Sequence, residues 1–185
     1  MEKANRKYFE KDTLQVANNL LGDFILRKNK SKILKAKIIE TEAYIGPQDQ
    51  ASHTRNNKKT KRNKVVWSKG GHIYTYLSYG IHWMLNIVTE KKGVPECVLI
   101  RALDIEGFDL KKSNGPGKLT KRMGIDKTFY GEDLTKSDRV WIEKGNQDFK
   151  VLKTARINID SAGEPWVSKD LRFLIKEYQD QLPKP

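Results

Sequence analysis

The chain has 185 residues, room for one domain or for one domain with a small appendage. Its 36 lysines and arginines outnumber 23 acids, and the resulting net charge of +13 points to a polyanionic partner or to a solubilising surface. No apolar run reaches the roughly 18 residues of a membrane span, the first seven residues contain no apolar signal segment, and a single cysteine, Cys97, excludes internal disulfides and a cysteine-built zinc site. The expectation is a basic, soluble monomer in the cytoplasm, on the nucleoid if the source is bacterial, with no membrane association.

The first apolar pattern is helical. Leu14, Ala17, Leu20 and Leu21 fall on one face with Val16 beside them; Asp12 or Thr13 caps the start and Gly22 the end. Residues 24–26 read as a strand. Residues 36–44 are extended again, and period two puts Ala36, Ile38, Glu40, Glu42 and Tyr44 on one face. Gly46-Pro47 breaks that strand, and a polar, basic loop runs on to Gly70-Gly71.

Residues 73–77 form the next strand, with Tyr74 and Tyr76 on a shared face; Ser78-Tyr79-Gly80 turns the chain, and residues 81–88 return as a strand. Residues 97–103 form another and group Cys97, Leu99, Arg101 and Leu103. Pro116 opens a helix that runs to Met123 and stops at Gly124. Residues 140–142, 155–159 and 171–175 are the late strands, and residues 181–185 are expected to fray. Many strands with hairpin-style links and few short helices give an α+β domain with a largely antiparallel sheet. No βαβ alternation or dinucleotide fingerprint is present.

Charge is distributed unevenly. Between Asp49 and Glu90 there is no acid, while the stretch carries Arg55, Lys58, Lys59, Lys61, Arg62, Lys64 and Lys69 among Trp67, Tyr74, Tyr76, Tyr79 and Trp83. Cations close phosphate contacts and aromatic faces stack on bases, so the mixture favours nucleic acid over an acidic protein. Its 55–64 segment is too polar for a membrane-surface helix.

Glu42 ends a strand beside this basic loop. It is a usable general base, or else half of a surface ion pair with a loop lysine; Glu40 points the same way. Tyr44, Tyr74, Tyr76 and His53 either line a cleft or fill core. Tyr79 at a hairpin tip either wedges between base pairs or packs back on its own hairpin. Arg101, in an apolar strand, needs an anionic partner, which Glu42 or a phosphate would supply. Asn114-Gly115-Pro116-Gly117-Lys118 is a phosphate-holding helix start or a plain cap. Only three histidines and no second ligand motif argue against a metal site.

In this order the pieces resemble the alkyladenine (3-methyladenine) DNA glycosylase family, over about residues 20–175. The runs are Glu40-Thr41-Glu42-Ala43-Tyr44-Ile45-Gly46-Pro47-Gln48-Asp49, Ala51-Ser52-His53-Thr54-Arg55 and Thr60-Lys61-Arg62-Asn63. Tyr74-Thr75-Tyr76-Leu77-Ser78-Tyr79-Gly80, Leu85-Asn86-Ile87, Val98-Leu99-Ile100-Arg101-Ala102-Leu103 and Asn114-Gly115-Pro116-Gly117-Lys118-Leu119 follow. Ala155-Arg156-Ile157 and Leu171-Arg172-Phe173 complete the set.

The resemblance implies a single mixed domain, residues 1–185, around a curved antiparallel sheet with short flanking helices. It implies a cofactor-free, metal-free enzyme that flips damaged purines out of duplex DNA and hydrolyses the N-glycosidic bond without a lyase step. Glu42 matches the general base, Arg101 and the carbonyl of Ile157 the groups around the attacking water, and Tyr44, His53, Tyr76 and Asn86 the base pocket. Tyr79 matches the side chain that fills the vacated stack. Arg55, Arg62, Lys64 and Lys118 are the expected backbone contacts. His82-Trp83, Asn158 (where glycine is usual) and Asp170 depart from the pattern and bear on substrate range. The competing reading is a non-catalytic basic module that only binds nucleic acid.

Either reading makes affinity for DNA electrostatic. Titration of duplex DNA at rising salt is expected to show a steep, log-linear loss of affinity, and a flat response would contradict the basic face.

Overall fold

A computed structural model describes residues 2–184 of the chain. Helix α1 (Arg6–Phe9) is a single turn that the sequence pattern did not announce; the Asn5 side chain caps it and Phe9 is its buried anchor. Helix α2 (Thr13–Asn19) starts where Asp12 accepts the amides of Leu14 and Gln15 at 3.0 Å each. Its inward face is Thr13, Val16, Ala17 and Leu20, an i, i+3, i+4, i+7 set, so the predicted inward Leu14 is exposed instead. Thr13 takes the inner position because its hydroxyl bonds to Thr89 and Glu96, each at 2.6 Å.

Eight antiparallel strands follow: β1 (Phe24–Asn29), β2 (Lys32–Tyr44), β3 (Ile73–Ser78), β4 (His82–Val88), β5 (Cys97–Ile105), β6 (Val140–Glu143), β7 (Val151–Thr154) and β8 (Arg172–Ile175). They form one sheet in the order β3-β4-β5-β2-β1-β6, with β8 also paired to β2 and β7 to β8. This is the expected α+β architecture.

The thirteen-residue β2 is its spine. One edge of β2 pairs with β5 from Ala36 to Tyr44. The other pairs first with β1 and then, over Glu40 to Glu42, with β8. The ladder with β5 is irregular around Glu40, which faces Ala102 out of step with its neighbours.

Helix α3 (Pro116–Met123) has the bounds its sequence signals predict: proline in the first turn and Gly124 at φ +62 after the end. It packs on β4 through Leu119 and Met123, and the Thr120 hydroxyl donates to the carbonyl of Trp83 at 2.8 Å. Gly117 crosses His82 so closely that a Cβ there would fall 2.8 Å from the imidazole. The main core lies between the sheet and the helices. A smaller cluster of Val65, Val66, Tyr74, Val88 and Cys97 sits under the basic loop. That loop is knotted rather than loose: Asn63 donates to the carbonyls of His53 and Lys58 at 2.8 and 2.9 Å.

Two further expectations need correction. Residues 155–159 are not a strand: β7 ends at Thr154, and the segment leaves the sheet because its polar groups turn inward to side chains rather than to a ladder. Asn158 adopts φ +58, outside strand geometry. The terminus does not fray as predicted over residues 181–184. Leu182 is 5% exposed in the core, and the carbonyls of Gln181 and Pro183 accept bonds from Asn114 and Arg172 at 2.9 and 2.7 Å. Pro185, the last residue of that call, lies outside the described residues.

Leu182→Ala is therefore expected to cost about 2 kcal/mol of unfolding free energy, read from urea denaturation, where a frayed residue would cost nothing.

Candidate active site

Strand β2 carries Glu40 and Glu42 into a segment flanked on both sides by arginine-bearing strands. Both glutamates are wholly buried. Glu40 Oε1 accepts Arg172 Nε at 2.5 Å and Arg101 Nε at 3.2 Å. Arg101 also reaches Glu42, Nη1 to Oε1 at 3.3 Å. Of the two partners the sequence left open for Arg101, Glu42 or a phosphate, the structure supplies Glu42, and it adds Glu40. Burial alone would lower the Arg101 pKa; Glu42 and Glu40 outweigh it and hold the guanidinium above its usual value. For Glu40 burial wins, and its pKa is raised against the pull of Arg101 and Arg172.

Glu42 is held by three groups. Its Oε1 contacts Arg101 and accepts the amide N–H of Ile157 at 2.8 Å, and its Oε2 accepts the hydroxyl of Tyr44 at 2.9 Å. The resemblance gives the Ile157 carbonyl to the attacking water; toward Glu42 itself the residue presents its N–H. A carboxylate offers about four lone-pair positions, so one on Oε2 stays open to a further donor. Burial, then the charge of Glu42, pushes the Tyr44 phenol well above its ordinary pKa, which keeps it a donor.

In front of this carboxylate lies a cavity of about 160 Å³ lined by Tyr44, His53, Tyr74, Tyr76, Asn86 and Cys97, with Asn158 and Ile159 at its edge. It is comparable to the ~150 Å³ void that admits one benzene ring. Glu42 is not in the lining: it stands directly behind Tyr44, close enough to Tyr76 to raise that phenol's pKa. His53 Nδ1 lies 2.8 Å from the Tyr74 hydroxyl, and its ring meets Tyr76 edge-on, centroids 4.5 Å apart.

Burial, reinforced by Arg62 and Arg55, lowers the His53 pKa to about 4. Burial lifts Tyr76 to about 12 and the Cys97 thiol to about 12. The cavity wall is therefore aromatic, polar and uncharged at neutral pH. Asn86 is fixed at its floor, Nδ2 donating to the Tyr74 carbonyl at 3.1 Å and Oδ1 accepting from Cys97 Sγ at 3.9 Å.

Tyr79 stands apart at the tip of the β3–β4 hairpin, 90% exposed, so it does not pack back on its own hairpin. The Ile81 amide bonds the Ser78 carbonyl at 3.1 Å, and Tyr79 and Gly80 have φ +49 and +72, the signature of a type I′ turn. A bulky residue in that conformation costs about 1 kcal/mol. Arg55, Arg62, Lys64 and Lys118 are all exposed. Arg62 lies 4.8 Å over the Tyr76 ring and donates to the Leu77 carbonyl at 3.2 Å. Lys118 bonds Asn114 at 2.8 Å at the start of α3.

Two neighbours of the site stood in the matching runs without an assigned role. Arg156 grips Asp49 with both terminal nitrogens, at 2.6 and 2.8 Å, and lies 4.7 Å over the Tyr44 ring; Arg172 anchors Glu40. Both arginines sit between apolar neighbours, as Arg101 does, and the same argument applied to all three would have found them. Among the described residues no group of His, Cys, Asp and Glu could hold a metal ion, and no helix is long and apolar enough to cross a membrane.

A family model described as methylpurine-DNA glycosylase matches residues 7–179. A Clostridium novyi protein provisionally named a 3-methyladenine DNA glycosylase is 41% identical over 96% of this chain and 96% of its own length. A Borrelia garinii protein of the same provisional name is 42% identical over 94% of this chain and 96% of its own. One from Clostridioides difficile is 38% identical over 92% and 99%.

A His53 imidazole held neutral by its surroundings binds fewer protons folded than unfolded. Its pKa is depressed from 6.5 to about 4, so its contribution to stability is whole above about pH 6.5 and is lost as pH falls toward 4. An NMR titration of this imidazole is expected to show its midpoint near 4; a midpoint near 6.5 would contradict the burial.

Proposed function

We propose a reaction for this chain from one premise: it belongs to the methylpurine-DNA glycosylase family, whose members are DNA repair glycosylases. The substrate is duplex DNA bearing a damaged purine: 3-methyladenine, 7-methylguanine, hypoxanthine or ethenoadenine. The reaction is hydrolysis of the bond between that base and C1′. The observation that carries the reading is the buried Glu42 carboxylate, fixed by Arg101, Ile157 and Tyr44 behind an aromatic cavity.

C1′ is shielded within a duplex, so the nucleotide is turned out of the stack. The exposed cations Arg55, Arg62, Lys64 and Lys118 bind the phosphates, and Tyr79, exposed at its hairpin tip, fills the gap. The base enters between Tyr44 and Tyr76 with His53 beside it. A cationic alkylated purine gains about 0.5–2 kcal/mol at each aromatic face. Neutral His53 and the protonated phenols place no positive charge against it. Asn86, held in one orientation, crowds the 2-amino group of an undamaged guanine.

Water then takes the open acceptor position on Glu42. As the glycosidic bond breaks, its electron pair leaves with the base; the water oxygen bonds to C1′ and its proton passes to Glu42. The same carboxylate stabilises the positive charge that develops on the sugar. Arg101 and Ile157 position the water through the carboxylate they fix. A neutral leaving base also needs a proton or hydrogen bonds at its ring. No amine is required, so the enzyme is monofunctional.

Glu42→Gln keeps the shape and loses the base. Single-turnover excision from a duplex containing one hypoxanthine is expected to fall roughly 10²- to 10⁴-fold, with duplex affinity nearly unchanged. Retained excision would move the role to Glu40 or elsewhere, and no base release by the parent protein would favour the non-catalytic module. Borohydride is expected to trap no covalent adduct; an adduct would establish a lyase step.

A further inference from the structure

Strand β3 is an edge strand, and its outer face borders a second, larger recess that the proposed reaction leaves unused. This groove has a volume of about 650 Å³, within the usual range for small-molecule sites. Tyr76, Trp83 and Tyr130 supply its rings, and Lys61, Arg62 and Lys127 its charge; no acid lines it. Tyr130 is braced in place, its hydroxyl accepting the Val65 amide at 3.2 Å and donating to the Lys61 carbonyl at 3.3 Å.

Thr75 gives an independent sign of a ligand. It is 3% exposed and lines the groove, yet its Oγ1 has no hydrogen-bond partner among the described residues. A buried hydroxyl left unpaired costs about 1–3 kcal/mol. The expected remedy is a partner brought in from outside.

Rings that stack, cations that hold phosphate and a waiting hydroxyl that reads a polar edge are the three requirements of one ligand class, a nucleotide. We propose that this groove is a second nucleotide seat, taking an unpaired base and its phosphate from the DNA beside the lesion. The base stacks against Trp83 and Tyr130, Lys127 and Lys61 hold the phosphate, and Thr75 bonds the base edge.

Tyr76 borders both recesses, so the seat adjoins the lesion cavity across one ring. Leu77 lines the groove two residues before Tyr79, which places the seat along the hairpin that carries the proposed wedge. A duplex opened at the lesion has unstacked neighbours, and a seat for one of them would hold the duplex open. The inference rests on the DNA-glycosylase reading for its source of nucleotide, but binding at the seat does not depend on Glu42.

The test uses the full chain and a six-residue oligothymidylate, which offers no purine to the lesion cavity. Binding is followed by tryptophan fluorescence and by calorimetry. Trp83→Leu and, separately, the exposed Lys127→Glu are expected to weaken it about tenfold, with circular dichroism spectra and Tm matching the parent protein. Glu42→Gln is expected to bind as the parent does, whatever its effect on excision.

Unchanged affinity in both groove variants would overturn the proposal. So would a loss seen in His53→Ala and absent from Lys127→Glu, which would put the oligonucleotide in the lesion cavity. Failure of Glu42→Gln to abolish excision would strike the catalytic reading and leave this titration standing.

Discussion

The structure depends on a balanced set of charges withdrawn from water. Glu40, Glu42 and Asp49 face Arg101, Arg156 and Arg172, and all six side chains are buried. Each ion costs several kcal/mol to desolvate, a cost offset only when geometry and additional hydrogen bonds are good. The sheet order meets that condition. It sets β2 between β5 and β8, so that one arginine approaches Glu40 from each side. Arg156 comes from beyond the sheet, and its reach to Asp49 accounts for the chain leaving β7 where it does. An isolated buried carboxylate would either lose its charge or wander. Within this set Glu42 is held in one place by fixed donors.

Outside this core the electrostatics invert. The surface is strongly cationic while the cavity wall carries no charge at neutral pH. In the proposed reaction the two zones divide the labour of recognising a polyanion that carries a planar base. Long-range attraction belongs to loop and helix-start cations, which make no demand on base identity. Discrimination belongs to neutral rings and one immobilised amide. Arg55 and Arg62, the proposed phosphate contacts, also help keep His53 uncharged, which couples the zones.

Much of this was legible in the sequence, for identifiable reasons. Helix α3 was readable to the residue because proline and glycine are strong local punctuation. The strands followed from period-two alternation, but the grouping of Glu42, Tyr44, His53, Tyr76 and Asn86 was legible only through the family resemblance, because β5 separates β2 from β4 and His53 lies in a loop. Leu14 was misplaced because apolarity was counted without asking which residue could satisfy Thr89 and Glu96; a threonine could. Residues 155–159 look like a strand because buried segments are apolar whether or not they join a ladder. The Ile157 amide and the Arg156 guanidinium serve side chains, which no periodicity reports. Leu182 escaped notice because position near an end says little about burial.

Cys97 adds a last consequence. Its thiol lies in the cavity wall, nearly sealed from solvent and held protonated by burial and by the charges of Asp49 and Glu96. A sulfur in that state is a feeble nucleophile, since attack on electrophiles proceeds through the thiolate. Reagents that methylate purine nitrogens attack exposed thiolates as readily. Masked in this way, the lone sulfhydryl of this sequence is expected to react far more slowly with such reagents than an exposed thiol does.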